Sequence, residues 1–275
     1  MSSKAKLPRG IVLVGGGKMG SALLAGWLKG AVKPEDVIVV EPEPGSAARL
    51  AALGATVIDS AAKLPPSLDV GVLVLAVKPQ IMDSVLPHYR AIAASGALVL
   101  SIAAGRTIAS FERRLGPCAL VRAMPNTPAA IGRGITVACA NGAVSGAMRS
   151  KATKLLGAVG AVDWIEDEAL MDAVTAVSGS GPAYVFLMIE TLAAAGVEAG
   201  LSSALAARLA LFTVAGAGAL ALESGQNPAE LRRNVTSPGG TTQAALDVLM
   251  AGDGLAPLMT RAVAAATRRS RELAK

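Results

Sequence analysis

The chain is short of aromatic residues, with two Trp, two Tyr and three Phe in 275. Its core must therefore be filled by Ala, Val, Leu and Ile. The same scarcity excludes a base-stacking nucleic-acid face, which needs rings interleaved with clustered Lys and Arg. A net charge of +6 does not supply that cluster. Part of the excess is terminal, in Lys4, Lys6, Arg9, Arg268, Arg269, Arg271 and Lys275, and the overall charge attracts anions only weakly. Cysteine is nearly absent too. Cys118 and Cys139 lie in apolar runs without metal-ligand spacing, so we expect buried free thiols, no metal site and a reducing, cytoplasmic setting. The lone histidine, His88, follows Pro87 near an expected helix end and reads as a surface residue. Met1 to Arg9 lack the apolar run of a signal peptide. No internal repeat, low-complexity tract or flexible linker is visible.

What is present begins with short apolar runs. Gly10 to Gly15 fits a buried parallel strand. Gly15-Gly16-Gly17-Lys18-Met19-Gly20 follows at once, then a helical stretch from Ser21 to Gly30. Gly15, Gly17 and Gly20 match the dinucleotide-binding spacing in its proper strand-to-helix context. The first permits the tight turn, the second lets a pyrophosphate approach, and the third allows close packing. Val37 to Val40 is the next strand, ending in Glu41. An acid there bonds the ribose hydroxyls of NAD and repels the extra phosphate of NADP. Arg49, beyond the Pro42–Gly45 loop, either answers that phosphate or lies on a solvated helix face. Further strands are expected at Ala55 to Ile58, Val70 to Val77, Ala97 to Ile102 and Cys118 to Arg122. Two final edge strands are expected at Gly134 to Ala140 and Ala161 to Ile165, with a helix from Ser145 to Leu156 between them. Ligands lie beyond the carboxyl ends of strands in such sheets. That puts Ala76, Val77, Lys78 and Pro79 at the cofactor, and Asn126, between two prolines, in a rigid loop fit to grip the nicotinamide or orient substrate.

After Trp164 the strand pattern stops, which sets the expected domains at 1–164 and 165–275. Glu166, Asp167 and Glu168 open a helix, as the macrodipole favours. Val177-Ser178-Gly179-Ser180-Gly181-Pro182-Ala183-Tyr184 interrupts it, and a long helix runs on from Pro182. Leu205 to Leu222 is almost wholly apolar. Its Ala and Gly content and its Arg208 favour a buried helix packed tightly against a partner over a membrane span. The stretch Thr236-Ser237-Pro238-Gly239-Gly240-Thr241-Thr242 is a loop opening into a helix. Free N–H groups at such a start attract an anion, glycines let it approach, and four hydroxyls with no carboxylate surround the gap. It reads either as a capped loop or as a pocket for a small carboxylate substrate.

In order, Gly15-x-Gly17-x-x-Gly20, Ala76-Val77-Lys78-Pro79-Gln80, Ser101-Ile102-Ala103-Ala104-Gly105, Met124-Pro125-Asn126-Thr127-Pro128, Val177 to Tyr184 and Ser237 to Thr242 strongly resemble the pyrroline-5-carboxylate reductases. The resemblance covers about Gly10 to Ala264. It implies an α/β Rossmann-type N-terminal domain followed by an all-α C-terminal dimerisation domain. It also implies interleaved homodimers, five of which often form a decamer, and hydride transfer from NADP(H) or NAD(H) to the C=N bond of 1-pyrroline-5-carboxylate. The substrate carboxylate would rest near Gly239, Gly240 and Thr241, with Ser178 lining the pocket and the Thr242 hydroxyl bonding the ring nitrogen. Two departures stand out. Lys18 replaces the usual Asn, and either adds charge near the pyrophosphate or points to solvent. Glu41 stands where many members carry small polar or basic residues, so chemistry leans to NAD and the family to NADP.

Three rivals are weighed. A 3-hydroxyacid dehydrogenase would be expected to carry a catalytic lysine in the first interdomain helix, and Glu168 to Val177 has none. An imine reductase for another ring shares the same build. A non-catalytic dinucleotide-binding protein would not need Ser178, Gly239, Gly240 and Thr242 intact.

Overall fold

The computed structural model describes residues 10–30 and 32–273. Lys4, Lys6, Arg9 and Lys275, read above as tail charges, lie outside the described residues, as does the rest of the stretch 1–9. The strands are β1 (Gly10–Val14), β2 (Val37–Val40), β3 (Thr56–Ile58), β4 (Val70–Leu75), β5 (Leu98–Ser101), β6 (Leu120–Met124), β7 (Gly134–Ala140) and β8 (Gly160–Trp164). They form one sheet in the order β3-β2-β1-β4-β5-β6-β7-β8. The first six are parallel, which is the doubly wound Rossmann order. β7 turns antiparallel to β6, and β8 runs parallel to β7. β7 was expected at an edge. It is interior, because β8 returns to pair with it, and the edges among the described residues are β3 and β8.

Continuous apolar strands follow from two covered faces, since successive side chains point to opposite sides. Ile11, Leu13, Val72 and Val74 pack on one face with Leu23, Leu24 and Trp27 of α1 (Lys18–Leu28). Val12, Val14, Leu73 and Leu75 pack on the other with Met82, Leu86, Tyr89 and Phe111. Three of the seven rings sit in the core, where Trp27, Tyr89 and Phe111 head the largest fully buried side chains, while Phe186 and Phe212 are exposed. The Trp27 indole donates to the Leu155 carbonyl at 2.8 Å, so its one polar atom is satisfied. The remaining helices of this half are α2 (Pro44–Ala51), the short α3 (Met82–Val85) and α4 (Arg90–Ala94), α5 (Ile108–Leu115) and α6 (Gly146–Leu156). α1 begins at Lys18, earlier than the expected Ser21, because the glycine turn feeds it directly.

After β8 come a 3-10 turn (Glu168–Leu170), α7 (Met171–Val174), a π-turn (Thr175–Gly179) and α8 (Gly181–Glu198). The expected break at Val177–Tyr184 is therefore a widened turn. Pro182 has no N–H to bond the Ser178 carbonyl in a regular helix, and the π-turn absorbs the missing donor. α9 (Ser203–Ser224), α10 (Pro228–Asn234), α11 (Thr241–Leu249) and α12 (Leu255–Leu273) complete the chain.

The chain forms two compact units. The first comprises the described residues up to Gly179 and the chain from Thr267; the second is Ser180–Ala266. The strand pattern does end at Trp164. Residues as far as Gly179 stay with the sheet because Met171 and Ala176 are fully buried there. In the second unit α8 and α9 approach closely: a Cβ on Gly196 would lie 3.2 Å from that of Ala206. Within a single chain α9 is buried only at Ala206 and Ala210, while Leu205, Leu209, Leu211, Phe212 and Leu220 are exposed. Glu168–Glu198 and Ser203–Ser224 are long and apolar enough, by length and composition, to cross a membrane.

Phe111 is fully buried in the core on one face of the sheet. Phe111→Ala should cost about 3–5 kcal/mol in urea unfolding. A loss under about 1 kcal/mol would mean that the surrounding side chains collapse into the space.

Candidate active site

β1 delivers the chain to a glycine turn at its carboxyl end. Gly15 has φ +97°, and a Cβ there would lie 2.9 Å from the Ala76 carbonyl. A Cβ on Gly20 would strike the Gly15 carbonyl, so α1 rests directly on the strand's end. Above Gly17 there is nothing within 4 Å of where a Cβ would stand. Gly17 caps α1 in an extended conformation, and no side chain bonds the first-turn N–H groups. Conformation, contact and open room are what a pyrophosphate needs at a helix start. The Ser21 hydroxyl donates to the Gly16 carbonyl at 2.8 Å and braces the turn. Lys18 is exposed; Met19 packs partly against the core.

Glu41 stands beside this turn and is 9% exposed. Its Oε2 accepts from the Gly16 N–H at 2.6 Å and its Oε1 from the Glu43 N–H at 2.9 Å. A carboxylate has roughly four lone-pair sites, so two remain for hydroxyl donors. Gly15, Gly17, Glu41, Ala76, Val77 and Lys78, which come from three segments, line one cavity of about 690 Å³. Pro79 opens a 3-10 turn beside it, and its carbonyl accepts from Arg106 at 3.1 Å. Glu43 caps α2, and bonds from Ser46 and Gly45 hold its carboxyl below the usual range. Arg49 donates to the Ser46 hydroxyl at 2.7 Å.

The cavity also takes in residues that sequence patterns did not mark, among them Asp59, Ser60, Ile81, His88 and Tyr89. Asp59 and Ser60 follow β3, so the strand-end rule could have found them. His88 is exposed, as expected of a surface residue, yet it borders the cavity. Tyr89 is buried, which pushes its phenol well above the ordinary value and keeps it neutral.

Asn126 lies in the loop after β6. Its Oδ1 accepts from the Ile135 N–H at 3.0 Å, so its carbonyl end holds the loop and its NH2 end is the one that can meet a ligand. Ser178 lies in the π-turn. Its Oγ is enclosed and has no hydrogen-bond partner among the described residues. Such an orphan costs about 1–3 kcal/mol, and π-turns often mark functional sites.

Gly239, Gly240, Thr241 and Thr242 belong to the second unit. Gly239 has φ +68°, and Gly240 caps α11 without any side chain bonding its first-turn N–H groups. Thr241 is exposed and Thr242 half-buried. Of the four hydroxyls expected around this gap, Thr236 is turned away, donating to the Arg232 carbonyl at 2.6 Å. Cys118 and Cys139 are buried free thiols, and burial raises the pKa of each. Among the described residues no group of three His, Cys, Asp or Glu could hold a metal ion.

Residues 168–273 match the family model described as pyrroline-5-carboxylate reductase dimerisation, and residues 10–105 match the one described as NADP oxidoreductase, coenzyme F420-dependent. A pyrroline-5-carboxylate reductase of Pseudomonas aeruginosa is 43% identical over 267 residues, 96% of this chain and 97% of that protein. A solved pyrroline-5-carboxylate reductase of Coxiella burnetii superposes with a TM-score of 0.91 at 35% identity, covering 97% of this chain and 99% of that one. A Plasmodium falciparum pyrroline carboxylate reductase with NADP bound superposes with a TM-score of 0.82 at 31% identity, covering 98% and 100%.

Gly15→Ala combines a positive φ with a backbone collision. Strain of about 1–3 kcal/mol should weaken nucleotide binding about tenfold or more in a fluorescence titration. Unchanged affinity would remove the turn from the binding site. The two thiols, with raised pKa values, hold less thiolate at pH 8 than free cysteine does. A small disulfide reagent should label the native chain at least about tenfold more slowly than the urea-unfolded chain, with the rate still rising above pH 9.

Proposed function

The chain belongs to the pyrroline-5-carboxylate reductase family, and from that premise we propose how its residues divide the reaction. The protein reduces the C=N bond of 1-pyrroline-5-carboxylate with NAD(P)H to L-proline, the last step of proline biosynthesis. The open first turn of α1 suits the cofactor's pyrophosphate, with Gly15, Gly17, Lys18, Met19 and Gly20 forming the cradle. Glu41 takes the adenine-side ribose, and Ala76, Val77, Lys78 and Pro79 form the facing wall. The Asn126 NH2 group orients the nicotinamide end. When bound, the cofactor supplies the hydride.

The N–H groups at Gly240 and Thr241, beside Gly239, hold the substrate carboxylate at the start of α11. Ser178 offers its hydroxyl to the same molecule, and Thr242 bonds the ring nitrogen. The observation that carries the substrate assignment is the enclosed Ser178 hydroxyl with no partner. A cyclic imine needs orientation and a polar contact at nitrogen more than a strong base, which suits a site of hydroxyls and backbone donors. Glu41 favours NADH. Its charge is pinned by two backbone donors, and a like charge 4 Å away at an effective dielectric of 20 costs about 4 kcal/mol. Arg49, the nearby cation, is engaged with Ser46.

In function, residues 1–164 form the dinucleotide-binding domain and 165–275 the substrate and dimerisation domain. Copies of the same chain, rather than lipid, cover the exposed leucines of α8 and α9; the dimerisation match over residues 168–273 supports this. Five such dimers assemble into a decamer. The protein is soluble and cytoplasmic, and nucleic acid is no partner.

Initial rates with 1-pyrroline-5-carboxylate should show both cofactors oxidised and a higher kcat/KM for NADH; a higher value for NADPH would sink the Glu41 argument. Thr242→Ala and Ser178→Ala should each lower kcat about 10–100-fold while leaving nucleotide affinity intact. Normal turnover in either variant would remove that residue from the site. Sedimentation in detergent-free buffer should give a dimer or a multiple of dimers, and a monomer would refute the covering of α9 by a partner copy.

A further inference from the structure

We propose that Arg122 and Glu168 are positioning residues for the reduction, a pair that sets the π-turn carrying Ser178 against the loop carrying Asn126. The inference rests on the roles given to Ser178 and Asn126 above. Strand β6 is the common support. The Arg122 side chain lies in the middle of that strand, 6% exposed, and donates to Glu168 Oε1 at 2.7 Å. The same oxygen accepts the Ile108 N–H at 2.8 Å, one of the orphan donors at the start of α5. Glu168 thus anchors the start of the segment 168–179 to the sheet and to a helix end at once.

The far end of that segment is anchored by the same strand. Met124, the last residue of β6, fills the place where a Cβ on Gly179 would stand. Immediately beyond it the chain enters Pro125-Asn126, with the Asn126 carbonyl fixed to Ile135. From Arg122 to Asn126, one short run of backbone therefore determines where Ser178 and Asn126 lie relative to each other. Stability alone does not call for a charged pair here, because the Ile108 N–H needs only an acceptor oxygen, and an ion pair out of water is commonly no more stable than an uncharged one. A charge-assisted bond from a planar guanidinium fixes direction and separation in a way that apolar contact does not.

The distinguishing variant removes both charges. Arg122→Met alone strands Glu168 and should weaken the fold; Arg122→Met/Glu168→Gln removes both charges while the Gln amide oxygen still accepts the Ile108 N–H, and should recover stability. The double variant should melt close to wild type and bind NADH with a dissociation constant within about twofold of wild type, since the phosphate turn lies elsewhere. Its kcat should fall about 10–100-fold, as expected of a misplacement near 1 Å. The primary isotope effect with NADH deuterated at the transferred position should rise, because hydride transfer becomes slower relative to release. Amide exchange across residues 175–179, measured without ligands, should quicken. Wild-type kcat, isotope effect and exchange in a stable double variant would overturn the proposal. Failure of wild type itself to turn over 1-pyrroline-5-carboxylate would overturn the substrate reading, while the ligand-free exchange would still decide whether the pair holds the π-turn.

Discussion

The first turn of α1 lies on the bare backbone of the turn that precedes it. No side chain comes between Gly20 and the Gly15 carbonyl, and none could. That contact fixes where the helix begins and therefore where its unbonded N–H groups point. The rest of the cavity is arranged around them. β2 brings Glu41 to the Gly16 N–H, and β4 brings Ala76 against Gly15. Both sheet faces are covered, so those strands are packed on each side.

The segment that carries Ser178 is built on a different kind of constraint. The segment after β8 does not add a strand; it climbs back onto the sheet through Met171 and an ion pair. Arg122 is buried and Glu168 partly exposed, so removing Glu168 alone would strand a buried guanidinium, which is costly, while replacing both charges by uncharged groups costs little if the Ile108 N–H keeps an acceptor. The arrangement therefore reads as a choice of geometry over economy. The π-turn that follows leaves one hydroxyl enclosed and without a partner among the described residues, a cost the native protein carries.

Much of this was legible in the residue order. The glycine spacing, the apolar runs and the strand-end rule marked Gly15, Gly17, Glu41 and Ala76 to Lys78, because each depends on local backbone needs or on a simple period. The helices of the second half showed through their length and their Gly and Pro punctuation. Other features lay out of reach. The bond from Gly16 to Glu41 joins residues far apart in sequence and follows no period. The interior place of β7 depends on the later return of β8. Ser178 reads as a loop residue, since nothing in Ser-Gly-Ser-Gly-Pro distinguishes a widened helical turn from a break. Glu168 looks like an ordinary first-turn acid, yet its carboxylate serves β6 and the start of another helix.

The end of α12 returns to the first unit. Ser270 donates to Asp172 at 2.6 Å, and Leu273 lies against Gly105, 3.5 Å from where a Cβ would stand. The helical unit is thus an insertion, entered at Ser180 and left at Ala266, and not a tail appended to a finished domain. A gene fragment ending at Gly179 would lack the residues that cover Asp172 and Gly105. The first unit is therefore completed by residues that follow the helical unit in the chain.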